Sequence, residues 1–172
     1  MKKYIAFLRG INVGNIRIKM ADLKNAFEQL DCQEVSTYLQ TGNVVFQSEQ
    51  NAAELKIVLE KSLSQKFDYE AFVLIFDFNF LKKAIESYPF EKQETHHDYV
   101  IFVETEPILT DLKTVAQNMG DETQRIAFGE NVVYWKVEKG ESTNTAFAKT
   151  IAKAKYKSVT TTRNLNTLEK ME

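Results

Sequence analysis

The apolar residues of this chain run through one order of spacings twice, and that repetition restricts the fold more than any single motif does. In the first half, "YIAFL" (4–8) is a continuous apolar run, as expected of a strand inside a core. From Met20, the residues Leu23, Ala26, Phe27 and Leu30 follow at helical spacing. "VSTYLQ" (35–40) and "VVFQ" (44–47) read as strands on either side of the break Thr41-Gly42-Asn43. Asn51 with Glu54 three positions on predicts a capped helix start, and Leu55, Val58, Leu59 and Leu63 mark its inner face. "EAFVLIF" (70–76) closes the half as a strand, giving the order β-α-β-β-α-β.

A short helix over 79–87 connects to the second half, with Leu81, Ala84, Ile85 and Tyr88 on one side. The order then repeats. "YVIFV" (99–103) is a strand and Pro107 suits a helix start. Leu112, Val115, Ala116 and Met119 form that helix's stripe, and Gly120 suits its C-cap. "QRIAF", the turn Gly129-Glu130-Asn131 and "VVYWKV" predict a hairpin. Thr143 to Lys155 reads as one helix with Phe147, Ile151 and Ala154 inward. "KSVTT" supplies the last strand, and Leu165, Leu168 and Met171 a short terminal helix.

A β-α-β-β-α-β unit is the ferredoxin-like plait, and right-handed crossovers place both of its helices on one sheet face. The expected fold class is therefore α+β: two tandem ferredoxin-like units packed together, with a short C-terminal helix. The expected boundaries are 1–78 for the first unit, 79–97 for a connecting helix and loop, and 98–172 for the second unit.

Composition narrows the function classes. The 172 residues are 44% hydrophobic with only 2 prolines and 6 glycines, which supports a packed core and argues against disorder. A net charge of −2 argues against a protein that grips nucleic acid along its length. The single cysteine, Cys32, forms no intramolecular disulfide, so nothing points to an oxidising compartment. The apolar run after Met1-Lys2-Lys3 ends at Arg9, too soon for a signal-peptide core, and no stretch has the length of a membrane span. A soluble, cytoplasmic protein with no membrane partner is expected.

Three polar motifs stand out. "RGINVGNIRIK" (9–19) joins the first strand to the first helix and carries Arg9, Arg17, Lys19 and Asn12, with two glycines and no acid. A loop that leads into a helix N-terminus offers backbone N–H groups to an anion. It is neither a Walker A loop nor a dinucleotide fingerprint, and a surface loop with turn glycines explains it equally well. "TYLQTGNVVF" (37–46) gathers Tyr38, Gln40, Thr41 and Asn43 around a β-turn that by itself accounts only for Gly42 and Asn43. "TTTRNLNT" (160–167) holds Arg163 where a strand meets a helix, a position from which a guanidinium can clamp a carboxylate or phosphate. Asn164 could cap that helix, and Asn166 with Glu169 has capping-box spacing. Lys149, Lys153, Lys155 and Lys157 precede it with no acid between, a pattern that is more often a solvated helix face than a binding patch.

Familiar catalytic chemistry is missing. Cys32 lies beside Asp31 and Glu34, and neighbouring acids raise a thiol's pKa. His96 and His97 are adjacent in the acidic segment "EKQETHHD", read as an exposed loop, where neighbouring side chains diverge; no metal site is expected. No Ser-His-Asp order or metal-ligand spacing is present. Among the three motifs only Tyr38 could transfer a proton.

Taken together, "RGINVG", Met20-Ala21-Asp22-Leu23, "TYLQTGNVVF" and "TTRNLNT" resemble the bacterial family catalogued as domain of unknown function 1697. The resemblance implies duplicated ferredoxin-like units and no activity or cofactor. The chain departs from that family's pattern at Asn15, Thr41 and Leu165, the last of which often holds a tryptophan there; Leu165 removes a stacking surface.

Three readings follow, and none fixes whether a reaction occurs. The first is a binder, or simple enzyme, for a small anionic and possibly phosphorylated ligand, with Arg9 and Arg163 holding the anion and Asn12, Tyr38, Gln40, Thr41, Asn43 and Asn164 orienting it. The second is a protein–protein or homodimer module whose polar motifs are architectural. The third is RNA binding, with Phe46 and Tyr134 as stacking candidates.

Overall fold

The computed structural model describes every residue other than Val13, Gln40, Gly120 and Asp121. The chain divides into two compact units, Met1–Leu81 with Met171, and Lys82–Lys170 with Glu172.

The first unit runs β1 (Lys2–Arg9), α1 (Met20–Glu28), β2 (Gln33–Tyr38), β3 (Asn43–Ser48), α2 (Ala52–Phe67) and β4 (Phe72–Asp77), followed by α3 (Phe78–Glu86). Its four strands form an antiparallel sheet in the order β2-β3-β1-β4. Each helix starts and faces as its sequence dictates. Asn51 caps α2 by accepting from the Glu54 N–H at 2.9 Å while Glu54 reaches back to the Asn51 N–H. Leu55, Leu59 and Leu63 of α2, with Leu23, Ala26 and Phe27 of α1, bury against Tyr4, Ala6, Leu8, Val44, Phe46 and Val73 of the sheet. Alternation along the strands then turns Ile5, Phe7 and Arg9 of β1, and Asn43 and Val45 of β3, to the face without α1 and α2.

The second unit repeats the plan with β5 (His96–Val103), α4 (Glu106–Ala116), β6 (Gln124–Gly129), β7 (Val132–Glu138), α5 (Ala146–Ile151), α6 (Ala154–Lys157), β8 (Thr160–Asn164) and α7 (Leu165–Glu169). Its sheet order is β6-β7-β5-β8, again antiparallel. Leu109, Leu112, Phe147 and Tyr156 cover Ile101, Val103, Val133, Trp135 and Val137. The fold is α+β, two tandem ferredoxin-like units with a short terminal helix.

Four expectations are corrected. The helix expected over 143–155 is two, broken at Ala152-Lys153. Phe147 and Tyr156 are both buried, yet at about 100° per residue nine residues of continuous helix would put them on opposite sides. The break resolves that conflict. The last strand lies at 160–164 rather than 157–161, so the hydroxyl-rich motif is itself a strand. His96 and His97 open β5 and are not in a loop. Asn166 and Glu169 form no capping box; both bind Lys92, at 3.1 and 2.8 Å, while Asn164 caps α7. The C-cap assigned to Gly120 falls outside the described residues.

Candidate functional site

The first two motifs meet at one end of the first sheet. Antiparallel pairing of β1 with β3 brings the end of one strand to the start of the other, with Phe7 opposite Asn43. The Leu8 N–H donates to the Gly42 carbonyl at 2.8 Å, which extends that pairing into the turn. Beyond β1 the chain takes up positive φ at Gly10 (75°) and Asn12 (54°) and turns back so that Ile11 and Ile18 enter the core. Asn12 closes this loop on itself. Its Oδ1 accepts from the Ile18 N–H at 2.9 Å and its Nδ2 donates to the Ile18 carbonyl at 3.4 Å.

Asn43 is fully buried and serves the neighbouring turn. Its Nδ2 donates to the Tyr38 carbonyl and to Thr41 Oγ1, both at 2.9 Å. A carbonyl only accepts, so the amide orientation is fixed. The buried Oδ1 then has no donor among the described residues. Tyr38 stands opposite Asn43 on β2 and shares its sheet face, half-buried. Leu39 follows at φ 56°, exposed at the tip.

Arg9 completes this end. It lies two residues beyond Phe7, diagonal to Asn43, about 7–8 Å away by strand geometry. Its direct neighbour on β4 is Phe72. The side chain is half-buried, and burial pushes the guanidinium pKa down. Among the described residues it has neither an ion-pair partner nor a hydrogen-bond acceptor. Arg9, Asn12, Tyr38, Thr41 and Asn43 thus cluster in one unit, whereas Gln40 lies outside the described residues.

The third motif belongs to the second unit. Arg163 is buried on β8 opposite Val100, and Thr161 is buried opposite Phe102 on the same face. Thr160 donates its hydroxyl to the Tyr156 carbonyl at 2.9 Å. Asn164 accepts from the Asn166 N–H at 2.9 Å as the cap of α7. Strand alternation puts Arg163 on the face with Val100 and Phe102, away from the helix-covered core of Ile101 and Val103, and it is nonetheless buried, which the sequence pattern does not assign to it.

Other candidates resolve into structure. Phe46 is fully buried between Tyr4 and Phe27, at ring distances of 5.7 and 5.2 Å. Tyr134 is buried with its hydroxyl donating to the Ala84 carbonyl at 2.7 Å. Neither presents a ring face for a base. Cys32 is a buried free thiol pushed up to about 11, by burial first and Asp31 second. Lys155 of the basic run pairs with Asp111 at 2.8 Å. Among the described residues no three His, Cys, Asp or Glu side chains are gathered around a metal position, and no helix is long and apolar enough to cross a membrane. The sequence reading missed Phe72 as the neighbour of Arg9, because cross-strand register is invisible without the fold.

Residues 1–134 match the family described as protein of unknown function (DUF1697), and the chain belongs to that family. The matched segment holds the first two motifs and ends before the third. The fold is similar to that of the conserved bacterial protein SP0830 from Streptococcus pneumoniae, at 22% identity and a TM-score of 0.84, over 99% of this chain and 96% of that one. No functionally curated protein matches the sequence.

Proposed function

We propose that the protein binds a small anionic ligand, with phosphorylated metabolites as the leading class, at the end of the first unit's sheet. The observation that carries this reading is Arg9: a half-buried guanidinium, its pKa lowered by burial, with no counter-charge among the described residues. Desolvating a cation without a partner is unfavourable, and a bound anion removes the penalty. Tyr38 and Thr41 belong to the same end of the sheet, where Asn12 and Asn43 hold the loop and the turn in shape. None of these groups is a general base near neutrality, so binding rather than proton transfer is the chemistry they offer. Arg163 and Asn164 are not needed for this reading.

The test is a thermal-shift screen against inorganic phosphate, sugar phosphates, nucleotides and polyphosphates, run on the native chain and on Arg9→Gln. A ligand at about 100 times its Kd stabilises by roughly 2.7 kcal/mol. A shift with the native chain that disappears in Arg9→Gln is expected. Silence across the panel, or an undiminished shift in the variant, overturns the proposal.

A second reading is an architectural role for the motifs, favoured by the way Asn12, Asn43 and Asn164 spend their amides on nearby backbone. RNA binding loses both of its stacking candidates to the core.

A further inference from the structure

Strand order leaves β4 at an edge of the first sheet, where a row of backbone groups faces outward. Residues 71–76 read AFVLIF, an apolar run without a charge, a proline or a glycine. Segments of that composition pair with copies of themselves when their edge is open. The ladder defines the outward side. The Leu8 N–H donates toward β3, to the Gly42 carbonyl, so Leu8 makes no backbone bond with Val73, its partner on β4. The N–H and C=O of Val73 therefore point away from the sheet, and alternation turns those of Ala71 and Ile75 the same way.

Helix α2 meets these groups with side chains. Glu60 Oε1 accepts from the Val73 N–H at 3.0 Å, and Lys56 Nζ donates to the Val73 carbonyl at 2.8 Å. The two side chains also pair with each other at 2.6 Å. Ser64 Oγ accepts from the Ala71 N–H at 2.9 Å. Positions 56, 60 and 64 form one stripe beside the buried stripe of Leu55, Leu59 and Leu63. Four helical residues rise about 6 Å and two strand residues about 6.6 Å, so successive members of the stripe reach successive outward peptides. The next member is Ala52, which has no polar group, and the outward groups of Ile75 have no partner among the described residues.

We infer that Lys56, Glu60 and Ser64 stand in for a fifth strand and keep β4 from pairing edge to edge with β4 of a second copy. An acceptor and a donor already occupy both groups of Val73 through which an incoming strand would register. Without them, Ala71, Val73 and Ile75 present consecutive outward peptides, and antiparallel pairing of β4 with itself closes as a two-fold dimer. This inference concerns the edge of β4 alone and requires nothing of the Arg9 site.

The experiment compares the native chain, Glu60→Gln and the double variant Lys56→Ala with Glu60→Ala. Sedimentation velocity is run from micromolar to millimolar protein, the range in which unpaired edges associate. Amide hydrogen exchange is read at Val73 and Ile75. In dilute solution Val73 should exchange about tenfold faster or more in the double variant, having lost a bond to a charged group. Glu60→Gln keeps an accepting oxygen and should stay near the native rate. At high concentration the double variant should form a larger species that the native chain lacks, with the Ile75 amide gaining protection as it forms. Glu60→Ala alone leaves Lys56 in place and gives the same Val73 reading where the double variant does not fold. The inference is overturned by native exchange at Val73 in the folded variant, or by a double variant that sediments as the native chain throughout. Association without protection of Ile75, or association of the native chain with it, overturns it equally.

Discussion

Gly42 and Ile11 lie so close that no side chain fits at position 42. A Cβ there would stand 2.8 Å from Ile11 Cδ1 and 2.8 Å from Leu8 Cβ, on a residue whose φ is +85°. The Ile11 side chain could turn aside, but Leu8 Cβ is fixed to a central strand. Gly42→Ala therefore combines a left-handed backbone with a clash that cannot relax, costing about 1–3 kcal/mol. For a chain this size the thermal midpoint should fall by roughly 2–4 °C per kcal/mol. Circular dichroism melts of both proteins measure it, and an unchanged midpoint would show that the turn is looser than this packing.

Cys32 is expected to be inert in the folded chain. Its thiol is buried, pushed up to about 11, and lies 3.9 Å from the Leu30 carbonyl. At pH 8 a thiol of that pKa is ionised to about one part in a thousand, and the thiolate is the reactive form. A disulfide-exchange reagent should titrate no thiol in buffer and one per chain in denaturant. Rapid stoichiometric labelling of the native protein would contradict both the burial and the pKa.

The fold was legible because its apolar spacing is nearly uninterrupted; the hairpins at Thr41-Gly42-Asn43 and Gly129-Glu130-Asn131 fall where the turn residues are. Legibility failed where a buried face is polar. Thr160, Thr161 and Arg163 carry no apolar alternation, so apolar spacing by itself draws the last strand back onto Val159. It failed again at Tyr156, whose inward position makes sense only once the helix before it is known to break. The clustering of Arg9 with Tyr38 and Asn43 was within reach of the sequence, since β1 and β3 must be antiparallel neighbours in this topology. Which asparagines are spent on backbone was not. That depends on turn geometry at single residues, as in the bonds of Asn12 to Ile18 and of Asn43 to Tyr38.

Alkaline pH should destabilise the protein through its tyrosines. Tyr4, Tyr69, Tyr88, Tyr134 and Tyr156 all have raised pKa values, burial being the first cause in each; Tyr69 reaches about 12, and Tyr88 is raised further by its bond to Asp98. In the unfolded chain these phenols ionise near pH 10. Above that pH the unfolded state has released protons that the folded state still holds. Stability from these groups is therefore complete below about pH 10 and declines as pH rises toward their folded values. Denaturant melts across this range, with phenolate absorbance recorded alongside, should show the midpoint falling and most of the absorbance appearing only on unfolding. Phenolate formation by more than two of the seven tyrosines in the still-folded protein near pH 10 would refute the burial of these five hydroxyls.

Replacing Arg9 with methionine distinguishes a ligand site from an architectural one by the sign of its effect. An arginine that holds a fold together through a buried ion pair is costly to lose, by about 3–5 kcal/mol, because its partner is left charged and alone. Arg9 has no such partner among the described residues, and its own desolvation already works against the charged form. Methionine keeps the apolar stem beside Phe72 and removes the charge. Urea melts without ligand should therefore show Arg9→Met as stable as the native chain or more so, while any stabilisation by phosphate-bearing ligands is lost. A clear drop in ligand-free stability would mean that the guanidinium answers to a structural partner, and the half-buried charge would then need no anion to explain it.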